Sequence, residues 1–367
     1  MPMSLNLKEL SSEALERFVL DLGWKRFRAQ QIFSWIYQRR ALDFDVMTDL
    51  SKEERAILNE GACLEGIHLL TSQQSVDGTE KYLFSLNDGI RIESVLIPDT
   101  GEGARLTLCV STQAGCTLDC RFCLTGREKL KRNLKAYEIV DQVLHIQRMI
   151  GPSRVVTNLV MMGMGEPLAN LRNLLEALRR LTSSRGVGFS PRRITVSTAG
   201  LVPQIESLGA SGIPVNLAVS LNATTDQVRD RLMPINQRYP LKVLLAACRS
   251  YPVRPRRRIT FEYVLLAGVN DAPEDASRLI RLVSGIRCKI NLIPFNEFPG
   301  SGFSRPSEER VDRFQHILHK AYLTATVRRS KGNDILAACG QLTGIEIPDL
   351  TFPPLALKEP EGADSLV

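Results

Sequence analysis

Three cysteines, Cys116, Cys120 and Cys123, fall in the segment Gly115-Cys116-Thr117-Leu118-Asp119-Cys120-Arg121-Phe122-Cys123. Thiolates are soft ligands, and three on one short loop suit an iron–sulfur cluster. A cubane has four irons, so three protein ligands leave one iron open. That iron can hold the amino and carboxylate groups of a bound cofactor, whereas a fully ligated cluster only passes electrons. Two plainer readings stand beside this one: a zinc site with a distant fourth ligand such as His145, or three unrelated cysteines. A structural zinc site normally has four protein ligands, which weighs against the first.

A second group of polar residues follows. Val160-Met161-Met162-Gly163-Met164-Gly165-Glu166-Pro167 ends an apolar run with two glycines, an acid and a helix-starting proline. Missing side chains at Gly163 and Gly165 allow backbone approach to a ligand, and Glu166 can accept from an ammonium. Ser197, Ser220-Leu221-Asn222 and Asn296 also close apolar runs. Each alone is an ordinary loop residue, but strand ends of a barrel converge on one site. A lone cysteine such as Cys109 or Cys339 is usually a small buried hydrophobe. Cys63, Cys248 and Cys288 carry no motif and are expected in the core.

The elements that must position these groups alternate in type. Strand-like runs at 105–112, 155–164, 192–198, 215–221, 258–265 and 287–294 are interleaved with helix-like runs at 138–149, 170–182, 240–249, 273–284 and 306–320. This predicts an α/β fold with a parallel sheet, closed or partly closed as a barrel, whose site lies at the carboxyl ends of the strands. In the first strand Thr107, Cys109 and Ser111 alternate with Leu106, Leu108 and Val110, so Cys109 belongs to the more polar face, which could be the barrel interior. Upstream, Ser11 or Ser12 can cap a helix, and Ala29 to Tyr37 has helical spacing. Asn87-Asp88-Gly89 between two apolar runs predicts a hairpin. The expected domains are a helical module over 1–65, a β-connection over 66–98, a core over 99–345 and a flexible tail over 346–367.

The 367 residues are 44% hydrophobic and 24% charged, and the eight cysteines are too few and uneven for a secreted disulfide framework. No apolar run reaches the ~18 residues of a membrane helix, and Met1 to Leu10 lacks a secretory pattern, so a cytoplasmic monomer without a membrane is expected. The formal charge of +7 favours a polyanionic partner without demanding one. Basic clusters occur at Arg127–Lys135, at Arg254–Arg258 and at Arg328–Lys331. A phosphate backbone would be bound by such groups, and neutralising Lys129, Lys131 and Arg132 is expected to weaken RNA binding.

The triplet Cys-x3-Cys-x2-Cys with Phe122 before its last cysteine resembles the radical S-adenosylmethionine superfamily. That resemblance implies a partial (βα)6 radical-SAM barrel holding a [4Fe-4S] cluster and S-adenosylmethionine. The runs GCTLDCRFC, VMMGMGEPL, SLNATTDQVRD, INLIPFNEFPG and AACGQL, in this order, are similar to RlmN-type RNA adenine methyltransferases. The resemblance implies cluster ligation by Cys116, Cys120 and Cys123, and cofactor binding by Gly165, Glu166, Ser197, Ser220, Leu221, Asn222 and Asn296. It implies that Cys339 becomes S-methylated, that Cys109 forms a transient disulfide with it, and that Glu93 is the proton acceptor. Whether Glu93 or Cys109 takes the proton stays open. Asn222 stands where many relatives carry histidine, and its amide can still bond a ribose hydroxyl. The implied reaction methylates C2 of adenine in 23S rRNA and of the adenine 3′ of the tRNA anticodon, with electrons from a donor such as flavodoxin. The rival readings are Cfr-type methylation at C8 and a non-catalytic iron–sulfur RNA-binding protein.

Overall fold

The computed structural model describes residues 4–99 and 104–344; the predicted tail lies outside them. Helices α1 (Ser12–Asp21), α2 (Phe27–Tyr37) and α3 (Lys52–Gly61) form the expected N-terminal module. Ser11 caps α1 by accepting the Ala14 N–H, and Ser51 and Glu54 cap α3 reciprocally. Their apolar stripes, including Leu15, Val19, Ile32, Ile36 and Leu58, are buried.

One sheet of ten strands follows, in chain order from edge to edge. Strands β1 (His68–Gln74), β2 (Glu80–Ser85) and β3 (Arg91–Pro98) are antiparallel, and β3 pairs antiparallel with β4 (Leu106–Cys109). From β4 the sheet is parallel through β5 (Asn158–Met161), β6 (Ile194–Thr198), β7 (Asn216–Ser220), β8 (Ile259–Leu265), β9 (Cys288–Pro294) and β10 (Ala325–Val327). Parallel neighbours need long crossovers. They carry α4 (Ala136–Met149), α5 (Leu171–Thr182), α6 (Val202–Ala210), α7 (Asp226–Leu232), α8 (Leu241–Ser250), α9 (Pro273–Val283) and α10 (Glu308–Lys320). Two features go beyond the expectation. The parallel part has a seventh strand, β10, and the β-connection is a three-stranded wing continuous with the main sheet. β1, with the polar sequence HLLTSQQ, is a mostly exposed edge strand and lacks an apolar pattern.

Buried polar contacts hold the N-terminal module to the crossover helices. Lys8 pairs with Asp141 of α4 at 3.0 Å, both side chains 3% exposed. Arg180 of α5 donates to the Lys8 carbonyl at 2.6 Å, to Tyr37 Oη at 2.8 Å and to the Leu10 carbonyl at 3.0 Å. Removing one partner of such a buried pair costs about 3–5 kcal/mol.

The sheet curls but its edges do not pair. The chain after β10 spans the gap instead: the Gly332 N–H donates to Asp77 at 2.8 Å, Ser75 Oγ donates to Asp334 at 2.6 Å, and Lys331 donates to the Pro98 carbonyl. This bridging segment carries Cys339.

Candidate cluster and cofactor site

The cysteine loop leaves β4 and is closed by a short ladder in which Gln113-Ala114 pairs with Arg132-Asn133. One helical turn, Leu124–Arg127, begins directly after Cys123. The Leu124 N–H donates to the Gly340 carbonyl at 2.7 Å and Thr125 Oγ1 to the Leu342 carbonyl at 2.5 Å, so this loop and the Cys339 segment are laced together. Cys116, Cys120 and Cys123 line one cavity of about 990 Å³ at the C-terminal rim of the parallel strands, with Glu166, Ser197, Ser220, Asn222, Asn296 and Cys339 around it. Among the described residues no three His, Cys, Asp or Glu side chains converge as ligands of a single ion. Three thiolates on one cavity wall are the donors that a cubane takes at three of its irons. Burial pushes the Cys116 thiol up to about 12 and raises Cys120 and Cys123, with neighbouring thiols adding repulsion to Cys120. His145, the fourth ligand of the zinc alternative, packs edge-on against Phe84 at 5.4 Å, and burial lowers its pKa to about 4.

The glycines after β5 serve a packing purpose as well as the one expected. A Cβ on Gly163 would meet Ser111 Oγ at 2.7 Å, and one on Gly165 would meet Gln113 Cβ at 2.4 Å. Both make room for the chain leaving β4, and both also line the cavity. Glu166 is 4% exposed; its oxygens accept from the Leu168 and Ala199 N–H groups at 3.0 and 2.8 Å, and burial raises its pKa to about 7. The Thr198 hydroxyl adds a third bond to this carboxylate, which leaves one of its lone pairs for a cation in the cavity. Ser197 and Ser220 are half-buried cavity residues whose hydroxyls make no hydrogen bond among the described residues.

Three expected cofactor residues are engaged by the protein itself. Asn222 sits in left-handed backbone at φ 57°, which asparagine tolerates better than most residues. Its Oδ1 accepts the Val264 N–H at 2.8 Å and its Nδ2 donates to Met233 sulfur at 3.3 Å, so the ribose bond expected of this amide would compete with both. Leu221 is fully buried and does not line the cavity. Asn296 donates to the Cys339 carbonyl at 3.1 Å and accepts from Ser330, which holds the bridging segment over the cavity.

Cys109 and Cys339 come together although 230 residues separate them in sequence (339 − 109). They line one narrow cavity with Cys123, Arg328 and Lys331. Burial, then the neighbouring Cys339, lifts the Cys109 thiol to about 12, and Arg328 opposes the rise. Glu93 is placed elsewhere. It is 2% exposed, pairs with Lys81 at 3.3 Å and accepts the Thr343 and Gly344 N–H groups at 2.8 and 3.1 Å. In this structure it clamps the chain beyond Cys339 and does not line the two-cysteine cavity.

Sequence reasoning missed two contributors, Arg229 and Glu262, and read a third, Arg328, only as part of a basic cluster. Arg229 is fully buried and donates to the Leu221, Ala199 and Ser220 carbonyls and to Asn236 Oδ1, at 2.7 to 3.1 Å, tying the ends of β6 and β7 together. Burial lowers its pKa to about 10. Nothing but its place in SLNATTDQVRD signalled it. Glu262 and Arg328 lie inside the barrel between the cofactor cavity and a vestibule of about 1140 Å³ at the N-terminal rim.

Residues 5–64 match the family described as "Ribosomal RNA large subunit methyltransferase N-terminal domain", and residues 110–280 match the radical SAM superfamily. The dual-specificity RNA methyltransferase RlmN of Geobacter sulfurreducens is 55% identical, over 94% of this chain and 93% of its own. That of Syntrophobacter fumaroxidans is 53% identical, over 92% and 97%. The crystal structure of a radical SAM methyltransferase from Sphaerobacter thermophilus superposes with a TM-score of 0.87 at 46% identity, covering 93% of this chain and 100% of that one. A [4Fe-4S] cluster and S-adenosylmethionine are the cofactors of such enzymes, and the three-cysteine loop with its ring of polar strand ends fits them. With the same two parts in the same order and more than half its residues identical to the Geobacter sulfurreducens enzyme, the chain belongs to the RlmN family of radical SAM dual-specificity RNA methyltransferases.

Proposed function

We propose that this enzyme methylates C2 of adenine in 23S rRNA, at the peptidyl-transferase centre, and of the adenine 3′ of the anticodon in tRNA. The observation that carries the reading is the shared cavity of Cys109 and Cys339, which meets the cluster pocket at Cys123 and the cationic vestibule at Arg328 and Lys331. A protein that only transfers electrons needs no thiol pair there. The vestibule is lined by Arg105, Lys289, Arg328, Arg329 and Lys331, so a nucleobase can enter from the N-terminal rim while its phosphates meet cations.

The bound cofactors supply an electrophilic methyl group and, on reduction, a 5′-deoxyadenosyl radical. Cys339 takes the methyl group on sulfur by displacement. After losing one hydrogen atom, its methylene carbon bonds to adenine C2. The Cys109 thiolate sulfur then bonds to Cys339 as the bond between Cys339 sulfur and the methylene carbon breaks; the ring gives up its C2 proton, the methylene carbon takes one up, and the adduct's unpaired electron would return to the bound cluster, which releases the methylated base and leaves a disulfide. Of the two candidates for the ring proton, Cys109 faces the cavity, whereas Glu93 would first have to release Thr343 and Gly344. Cys116, Cys120 and Cys123 hold the cluster; Glu166, Ser197 and Ser220 receive the cofactor's polar groups. Residues 1–65 act as an RNA-binding accessory unit. A one-electron donor such as flavodoxin feeds the cluster, and the protein works as a cytoplasmic monomer.

The test is anaerobic reconstitution with iron and sulfide, then reaction with methyl-labelled S-adenosylmethionine, reductant and 23S rRNA fragments. Nucleoside mass spectrometry should find 2-methyladenosine with wild type and none with Cys339→Ala. A product methylated at C8 would instead assign Cfr-type chemistry.

A further inference from the structure

The tract Arg254-Pro255-Arg256-Arg257-Arg258 joins α8 to β8 and puts four cations into five residues. Two are committed to the fold. Arg257 donates to the Pro214 carbonyl, and Arg258 Nη1 donates to Thr324 Oγ1 at 2.8 Å. Arg254 and Arg256 are exposed and make no side-chain hydrogen bond among the described residues. None of the four pairs with a carboxylate among those residues. Arg256 also holds left-handed backbone at φ 63°, a conformation glycine would adopt at less cost.

The basic cluster near the cysteine loop contrasts with it. Arg132 pairs with Asp88 at 2.6 Å and with Glu138 at 2.7 Å, Lys135 pairs with Glu9 at 2.6 Å, and Arg127 donates to the Gly300 carbonyl while covering the Phe298 ring. Arg127, Arg132 and Lys135 are thus spent on structure, and only Lys129 and Lys131 of that cluster stay exposed and unpaired among the described residues; Arg254 and Arg256 are likewise uncommitted.

Under the tract lies an open cleft of about 750 Å³ whose walls include Leu208, Pro214, Tyr251 and Val253, with Arg254 and Arg258 on its rim. An apolar wall below a cationic rim suits a nucleotide, with base or ribose against the wall and phosphate on guanidinium. Arg192, Arg193 and Lys289 are exposed at the nearby starts of β6 and β9, so the cleft and the vestibule, which Lys289 lines, lie on one basic rim.

We infer that the Arg254–Arg258 tract and its cleft form a second RNA-backbone docking site, on the N-terminal rim and apart from the vestibule that admits the target base. The ligand class rests on the RNA reading above; the site rests on the uncommitted arginines and the cleft. It grips RNA that flanks the modified nucleotide.

The test uses the full-length Arg254→Gln/Arg256→Gln double variant. Its affinity for a 23S rRNA fragment carrying the target helices is measured by filter binding over a range of KCl concentrations. A short anticodon stem-loop and poly-glutamate serve as comparison ligands. The expected result is a loss of about tenfold for the rRNA fragment and a salt slope flatter by about two, the number of phosphate contacts removed. Affinity for the stem-loop should change less than about twofold, and S-methylation of Cys339, read by intact mass, should be unchanged. Unaltered rRNA affinity and slope would overturn the site, as would an equal loss for the stem-loop. A matching loss for poly-glutamate would replace RNA with acidic ligands in general. If the selective rRNA loss is seen while wild type leaves the adenine unmethylated, the docking site stands and the reading of function fails.

Discussion

Arginine serves the two rims of the parallel strands in opposite ways. At the C-terminal rim Arg229 is fully buried, and its guanidinium makes four hydrogen bonds, to three carbonyls and an amide oxygen from the ends of β6 and β7 and the chain after α7. At the N-terminal rim Arg254 and Arg256 are exposed and without side-chain partners among the described residues. The first rim needs geometry, because the cavity walls must hold a cluster and a cofactor in register. The second needs a field, because an RNA backbone is met by charge before any one contact forms. A buried guanidinium held by four hydrogen bonds gives position; an unpaired one on the surface gives reach.

Substitution separates the two roles. Arg229→Leu strands the carbonyls it holds and should lower stability by about 3–5 kcal/mol, read as a lower midpoint in urea unfolding, with cofactor binding lost as well. A change within about 0.5 kcal/mol would show that the strand ends hold themselves and break the contrast. Arg254→Gln/Arg256→Gln should move RNA affinity and leave the unfolding midpoint in place; an equal drop in stability would make the two rims alike.

The cysteine loop offers a finer distinction. Burial raises Glu128 from 4.5 to about 7, and neither of its carboxylate oxygens has a hydrogen-bond partner among the described residues. The folded chain therefore keeps a proton there that the unfolded chain has lost. Stability of the apo protein should fall as pH rises from about 5 to 7. Glu128→Gln should flatten that fall, and urea midpoints across this range check it. The smallest effect is expected from Lys129→Gln/Lys131→Gln. These exposed lysines are the cations of the 127–135 cluster left without an ion pair or aromatic contact among the described residues, and neutralising them should weaken RNA binding only a few-fold at low salt. Arg132, grouped with them on sequence grounds, belongs to the fold through Glu138 and Asp88, so its replacement should cost stability first.

Much of the architecture was legible because its signals are local. Helical spacing at Phe27–Tyr37, the Ser11 cap, the Asn87-Asp88-Gly89 hairpin and the apolar runs of β4 to β9 each follow from neighbours in sequence. Elements without such a signal were missed: polar β1 at the sheet edge, seven-residue α7, and α6, whose apolar stripe is interrupted by Pro203 and Gly209. The site divided in the same way. Three cysteines on one loop announce a cluster because chelation by adjacent residues needs no fold to be recognised. Cys339 drew its role from the resemblance alone, since one cysteine after two alanines has no local signature.

Residue types and spacing therefore pointed to a three-cysteine cluster loop and to the alternation of strand and helix, and the resemblance of whole sequence runs pointed to the family. Tertiary structure decided which charges are free and which are spent, that Glu93 clamps Thr343 and Gly344, and that Asn222 and Asn296 brace the site from within. It also decided that Gly163 and Gly165 yield space to Ser111 and Gln113. The physical reason is range: backbone propensity and chelation act over a few residues, whereas burial and ion pairing depend on groups up to hundreds of residues apart that only the folded chain brings into contact.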